Sequence, residues 1–165
     1  MFGNNMRLGL SRDLVIRMVR VQAFFERLKM NADEEFMASI AVACFNDLLL
    51  EAGNGRAVYG YDGVTLLPIS CEDVTDIVFG KSFDTWHLTN IPADMVTICH
   101  DITRTLQSDS VEDAVRWCLY FLSCMVEFLE TDYVLVLGRP VNEEDITIEY
   151  WEQPVFEDFR PGRVQ

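Results

Sequence analysis

The chain combines a composition suited to a packed core with a charge that opposes phosphate binding. Half of its 165 residues are hydrophobic and its formal net charge is −14. The hydrophobic share excludes a disordered chain, because disordered chains are poor in hydrophobic residues. Such an acidic surface repels the phosphates of nucleic acids and anionic lipids, so we expect no direct binding to nucleic acid or membrane. The length predicts one globular domain over residues 1–165.

The charges are unevenly distributed along the chain. Residues 1–30 carry six cations and two acids, a balance of +4, whereas residues 31–165 carry seven cations and 25 acids, a balance of −18. Net charge speaks to partners and solubility rather than to fold. We expect residues 1–10 to form a flexible N-terminus.

An amphipathic helix is predicted after Ser11, whose hydroxyl is suited to cap it. Apolar residues recur with 4-3-4-3 spacing from Leu14 to Leu28, which places them on one helical face. Three cations fall off this stripe, namely Arg17, Arg20 and Arg27. We expect them to pair with acids of this chain or of a second copy, which leaves a homo-oligomer open. The alternatives are that these cations contact nucleic acid or a membrane, or that they only face solvent.

The next part of the chain predicts a second helix and a β-hairpin. Phe36 to Ala52 has helical character and is followed by Gly53-Asn54-Gly55, which ends it. Asp62-Gly63 is a dipeptide that fits a two-residue hairpin turn between strands over 57–61 and 64–67.

A short helix ending at Gly80 follows, and Pro92 near the first turn opens a further helix to about Leu106. Residues 83–88 are ambiguous between helix and strand. The most apolar helix is predicted over Val111 to Glu130, and because it is hydrophobic nearly all round it should be central.

Tyr133 to Leu137 predicts a strand that Gly138-Arg139-Pro140 breaks, and residues 146–151 alternate well enough to pair back. These elements predict an α+β fold that is predominantly helical, with two short β-hairpins at about 57–67 and 133–151. Residues 152–165 are expected to form an irregular acidic and aromatic tail.

The five cysteines lack the two-residue spacing of a zinc knuckle or a redox dithiol. Most have apolar neighbours, so we expect buried free thiols in a reducing compartment. No apolar signal core follows the first residues. A cytoplasmic protein is the interpretation that fits both observations.

Motifs of nucleophilic catalysis and phosphate binding, the Gly-x-Ser-x-Gly elbow and the lysine-containing Gly-rich loop, do not occur in the sequence. His100 is followed by Asp101 on a predicted helix, with His87 upstream. This set resembles the metal-binding signature of HD-type phosphohydrolases, and the resemblance implies a divalent metal ion. The family's first histidine lies further upstream and a distant aspartate completes its set. The alternative is that His100 caps or packs a helix while Asp101 faces water, with no metal and no cofactor.

Residues 142–158 contain seven acids and no cation, interleaved with aromatic residues. Carboxylates steer towards a basic partner and aromatic rings supply contact area, so the segment suits docking into a basic groove. The alternative is a solvated edge hairpin whose aromatic side chains fold back on the core. The candidate partner-binding residues are Glu143, Glu144, Asp145, Glu149, Tyr150, Trp151, Glu152, Phe156, Glu157 and Asp158.

These observations favour a non-enzymatic interaction protein that occludes a basic surface of another macromolecule. In its sharpest form the protein mimics nucleic acid, with carboxylates in place of phosphates, and inhibits a nucleic-acid-binding protein, as phage and plasmid anti-defence proteins do. Two alternatives remain open. One is a structural or assembly subunit with an apolar interface, and the other is the metal-dependent phosphohydrolase.

Overall fold

The computed structural model describes residues 5–69, 74–142 and 144–151, with only the backbone described at Tyr150. Helices predominate and all strand pairs are antiparallel, which confirms the predicted α+β fold. In chain order the elements are β1 (Met6–Ser11), α1 (Arg12–Arg27), α2 (Glu34–Gly53), β2 (Ala57–Tyr61), β3 (Leu66–Pro68), α3 (Thr75–Phe79), β4 (Ser82–Leu88), α4 (Ala93–Leu106), α5 (Val111–Leu129), β5 (Val134–Pro140) and β6 (Ile146–Tyr150).

Helix α5 lies at the centre, as its apolar composition predicts. It packs against α1, α2, α3, α4, β1 and β5. Leu119, Leu122 and Met125 on this helix are fully buried. These six elements therefore surround α5 and bury apolar side chains on it.

The start of α1 follows the predicted pattern closely. Ser11 accepts a hydrogen bond from the backbone N–H of Leu14 at 3.1 Å, and its hydroxyl donates to the carbonyl of Ile77. The predicted stripe is buried from Leu14 through Met18 and Val21 to Phe25. One residue thus caps α1 and links it to α3.

The two predicted hairpins are joined in one four-stranded sheet of order β3-β2-β5-β6. The predicted two-residue turn is wrong, because Tyr61 lies opposite Leu66 and four residues form the loop. The Asp62 carboxylate accepts hydrogen bonds from the backbone N–H groups of Val64 at 2.9 Å and Thr65 at 2.6 Å. These bonds hold the wider loop and lower the pKa of Asp62.

Strand β5 continues through Gly138 to Pro140, so the predicted break there is wrong. Gly138 lies opposite Ile148, and a Cβ at Gly138 would lie 2.5 Å from the ring of Tyr59 and 2.8 Å from Ile146. Glycine is needed because neighbouring side chains pack directly against the backbone at this position. Proline is tolerated because it occupies the last strand position.

A second, two-stranded sheet pairs β1 with β4, which resolves the ambiguity over residues 83–88 as strand. Leu8 lies opposite Trp86, and both Leu8 and Leu10 are fully buried. The Nε of Arg116 on α5 donates to the carbonyl of Gly9 at 2.7 Å. The predicted flexible N-terminus is therefore wrong for residues 6–10, because they form strand β1 and the side chains of Leu8 and Leu10 belong to the core.

Within the described residues, α2 alone is long and apolar enough to cross a membrane by length and composition. Core helices satisfy the same criterion, and here α2 packs against α4 and α5. Its face with Met37, Ala41 and Phe45 is buried.

Candidate functional site

The predicted acidic docking segment presents two exposed carboxylates in the described part of the chain. Glu144 and Asp145 lie in the turn between β5 and β6, and both are exposed. The side-chain oxygen of Asn142 accepts hydrogen bonds from both of their backbone N–H groups at 2.8 Å. This turn is held by its own polar groups and places both acids in solvent.

Two other predicted docking residues face the protein itself. Trp151 is 5% exposed, and its Nε1 donates a hydrogen bond to Asp47 on α2 at 2.7 Å. Glu149 is half-buried and lies 3.4 Å from the Nε of Arg56. The ring of Trp151 therefore belongs to the core, which agrees with the alternative that aromatic side chains of this segment fold back on the core.

The structure describes no side chain for the remaining predicted docking residues. For Tyr150 the structure describes the backbone in β6 and not the side chain. The others lie outside the described residues and are Glu143, Glu152, Phe156, Glu157 and Asp158.

The cations of α1 pair with acids of α5. Glu127 lies 3.2 Å from Arg17 and 3.7 Å from Arg20, and Glu130 lies 2.8 Å from Arg27. These three cations therefore find intramolecular partners. The positive charge of the first helix is largely neutralised where it meets the central helix.

Arg17 is the most enclosed of the three cations, with 23% of its side chain exposed. It also donates a hydrogen bond to the hydroxyl of Ser123 at 3.1 Å, and its guanidinium lies 5.0 Å from the ring centre of Tyr120. The neighbouring ring and carboxylate together satisfy a cation that is largely removed from water.

Carboxylates near the N-terminal ends of α2 and α4 are not neutralised in this way. Asp33, Glu34, Glu35 and Asp94 are all exposed. No ion pair involves them in the described ranges. Negative side chains are stable at these positions because the helix dipole places partial positive charge there.

A groove opens between these two helix ends, and we name it the α2–α4 groove. It has a volume of about 370 Å³ and includes Asp33 and Glu35 at its rim. Its floor contains Phe36, Leu88, Ile91 and Met95. The last three of these are buried and Phe36 is half-buried, so an apolar floor lies beneath a polar rim.

The two rim carboxylates are held in place by hydrogen bonds. Asp33 caps α2 by accepting from the backbone N–H of Phe36 at 2.8 Å. Glu35 reaches across to the segment before α4, where its Oε1 accepts from the hydroxyl of Thr89 at 3.1 Å and from its backbone N–H at 3.3 Å. The described lining of the groove contains no cation. The rim is therefore a fixed negative edge.

The HD-like set does not form a metal centre in the described structure. His87 is exposed on β4, where it lies opposite Arg7, and His100 is exposed on α4. Asp101 forms an ion pair with Arg104 one helical turn away. No group of three His, Cys, Asp or Glu side chains able to hold a metal ion occurs among the residues described.

The four described cysteines are free and buried. Burial raises the pKa of Cys44 to about 12, with the charge of Asp47 adding to the effect, and burial raises the pKa of Cys99 to about 11. The pKa of Cys118 is also raised by burial. Since the thiolate is the nucleophilic form, these groups are unsuited to nucleophilic catalysis. Cys71 lies outside the described residues.

The sequence shows the acids and the helix starts that form the α2–α4 groove, but it does not show that they lie close together. Asp33, Glu34 and Glu35 stand out as an acidic cluster before an apolar helix, and Asn90 and Pro92 mark a second helix start. Their convergence is set by the packing of α2 on α4, which no local pattern reveals.

Comparisons with known proteins found no match among family models, curated proteins or solved structures.

Proposed function

We propose that this protein is a non-enzymatic interaction protein whose acidic surface binds and occludes a basic surface of another macromolecule. The observation that carries this proposal is the contrast between three paired cations of α1 and the exposed acids at the N-terminal ends of α2 and α4. Arg17, Arg20 and Arg27 pair within the chain, whereas the acids at the α2 and α4 ends stay exposed without an ion pair in the described structure. Exposed charge of one sign attracts and orients a partner of the opposite sign.

The partner class that fits this chemistry best is a nucleic-acid-binding protein. Such proteins present clustered Lys and Arg side chains that bind phosphate. The exposed carboxylates would occupy these side chains in place of phosphates, as in inhibitors that mimic nucleic acid. The net charge of −14 over 165 residues supports such a role.

The test is an affinity pull-down from lysate of the native host, with washes at low and then high salt and identification of the bound proteins by mass spectrometry. We expect a basic protein that elutes as salt rises, because ion pairing across a wet interface is screened by salt. Duplex DNA or RNA added to the low-salt wash should release the same protein. A partner that neither salt nor nucleic acid releases would contradict the proposal.

A second candidate function is an assembly subunit with an apolar interface. Ile16 and Val19 lie on the outer face of α1 and are 51% and 59% exposed. They are one helical turn apart and so share a face. A partner retained at high salt and lost on Val19→Asp substitution would favour this role over charge mimicry.

A further inference from the structure

The α2–α4 groove has a property that charge mimicry alone does not require. A surface that only imitates phosphate needs carboxylates, whereas this groove places them above an apolar floor of Phe36, Leu88, Ile91 and Met95. Its volume of about 370 Å³ lies at the lower end of the range for ligand sites, roughly 300–1,000 Å³. The space suits one or two side chains of an extended segment.

The rim and floor together select the chemistry of an occupant. A long cationic side chain has an apolar stem and a charged end, and it commonly lays the stem on apolar surface while the charge reaches a polar edge. Glu35 already accepts two hydrogen bonds from Thr89 through its Oε1. A carboxylate has about four acceptor positions, so it retains capacity for a cation.

We propose that the α2–α4 groove is the anchoring site for a segment of the basic partner in which a lysine or arginine adjoins an apolar residue. The cation pairs with Glu35 and Asp33 at the rim, and the apolar side chain and the stem cover the floor. This inference rests on the proposed function and adds to it the partner's local sequence chemistry. Anionic ligands are disfavoured because the rim is negative and the described lining of the groove has no cation.

Met95 provides a direct reporter, since its side chain is part of the groove floor. The probe is an acetylated hexapeptide of alternating lysine and leucine, compared with hexalysine and with a neutral hexapeptide of alternating serine and leucine. Protein labelled with ¹³C at the methionine methyl groups is titrated at low salt, and Met95→Leu assigns the resonance. We expect the lysine–leucine peptide to shift the Met95 resonance and to bind more tightly than either comparison peptide.

Matched variants separate the groove from the rest of the acidic surface. Ser39→Leu fills space in the groove lining and retains every charge, Glu35→Gln removes one rim charge, and Asp145→Asn removes one charge from the β5–β6 turn. We expect the first two to weaken binding about 10-fold, as loss of a central contact does. Asp145→Asn should change it by less than about 2-fold, because this charge lies outside the groove and contributes only general attraction.

The possible outcomes separate the role of the groove, the need for a cation and the proposed function. Wild-type affinity in both Ser39→Leu and Glu35→Gln would overturn the groove as the anchoring site while leaving binding of basic partners intact. Equal weakening by Glu35→Gln and Asp145→Asn would do the same, because it indicates diffuse attraction. Equal binding of the neutral peptide would overturn the requirement for a cation. No binding of either lysine peptide, together with an empty pull-down, would overturn the proposed function itself.

Discussion

The indole Nε1 of Trp151 donates a hydrogen bond to Oδ2 of Asp47 at 2.7 Å, which ties the end of β6 to helix α2. The two residues are far apart in the chain, since Asp47 lies on α2 and Trp151 directly follows β6. An aromatic residue in the most acidic part of the sequence is thus a structural anchor.

Trp151→Phe should destabilise the protein by about 1–3 kcal/mol, because it removes a hydrogen bond to a carboxylate in a largely buried setting. The free energy of unfolding is measured by urea titration followed by circular dichroism. Asp145→Asn is the matched control and should change stability by less than about 0.5 kcal/mol, since that carboxylate is exposed. A Trp151→Phe protein as stable as the wild type would contradict the anchoring role.

Two glycines offer a paired test of packing. A Cβ at Gly60 in β2 would clash with the ring of Phe128, whereas one at Gly53, the last residue of α2, would meet nothing within 4 Å. Gly60→Ala should cost about 1–3 kcal/mol through overpacking, and Gly53→Ala should be neutral or stabilise by about 0.5–1 kcal/mol.

The same unfolding measurement in double variants checks the cause of the Gly60 effect. Phe128→Leu should cost less in the Gly60→Ala background than in the wild type, because the smaller side chain relieves the clash. Additive costs would show that the Phe128 ring is not responsible.

The ion pairs between α1 and α5 should differ in their contribution to stability. Arg17 pairs with Glu127, donates to Ser123 and lies over Tyr120, whereas Arg27 pairs with Glu130 at an exposed position. Arg17→Ala should cost about 1–2 kcal/mol, and Arg27→Ala less than about 0.5 kcal/mol. Urea titrations at low and high salt measure both, and equal costs would contradict the distinction.

Alkaline pH should destabilise the fold through Cys44. Burial raises its pKa from the ordinary 9.0 to about 12, so above pH 9 the unfolded chain loses a proton that the folded chain retains. The stability contribution is complete below pH 9 and is lost as the pH rises towards 12. Urea midpoints between pH 7 and pH 10.5 should therefore fall.

Cys44→Ala provides the control for this pH dependence. Its own decline should be shallower than that of the wild type by up to about 1.4 kcal/mol per pH unit. The slopes are compared rather than the absolute stabilities, because the substitution also leaves a small cavity. Identical slopes would show that Cys44 does not contribute.

Local signals predicted the helices well. Ser11 and the stripe from Leu14 to Phe25 determine where α1 begins and which face it buries. The apolar character of α5 predicted its central position, because a helix that is hydrophobic nearly all round must be surrounded. These features depend on residues within a few turns of one another.

Two of the features that sequence reasoning missed depend on distant partners, and a third depends on a local side-chain hydrogen bond. Strand β1 is short and contains Gly9, and it becomes a strand by pairing with β4. Asp62-Gly63 suggested a tight turn, but the Asp62 side chain bonds the following backbone and holds a wider loop. The acids of the α2–α4 groove were visible in the sequence, whereas its floor required the packing of α2 on α4.

The pairing of β1 with β4 also bears on how the protein forms during synthesis. Leu8 lies opposite Trp86, 78 positions later in the chain. Contacts so distant in sequence form late, because a long loop must close before they provide any stabilisation. Strand β1 therefore stays unpaired during synthesis until about half of these 165 residues have been made. Until then β4 does not cover Leu8 and Leu10, which are fully buried in the folded protein.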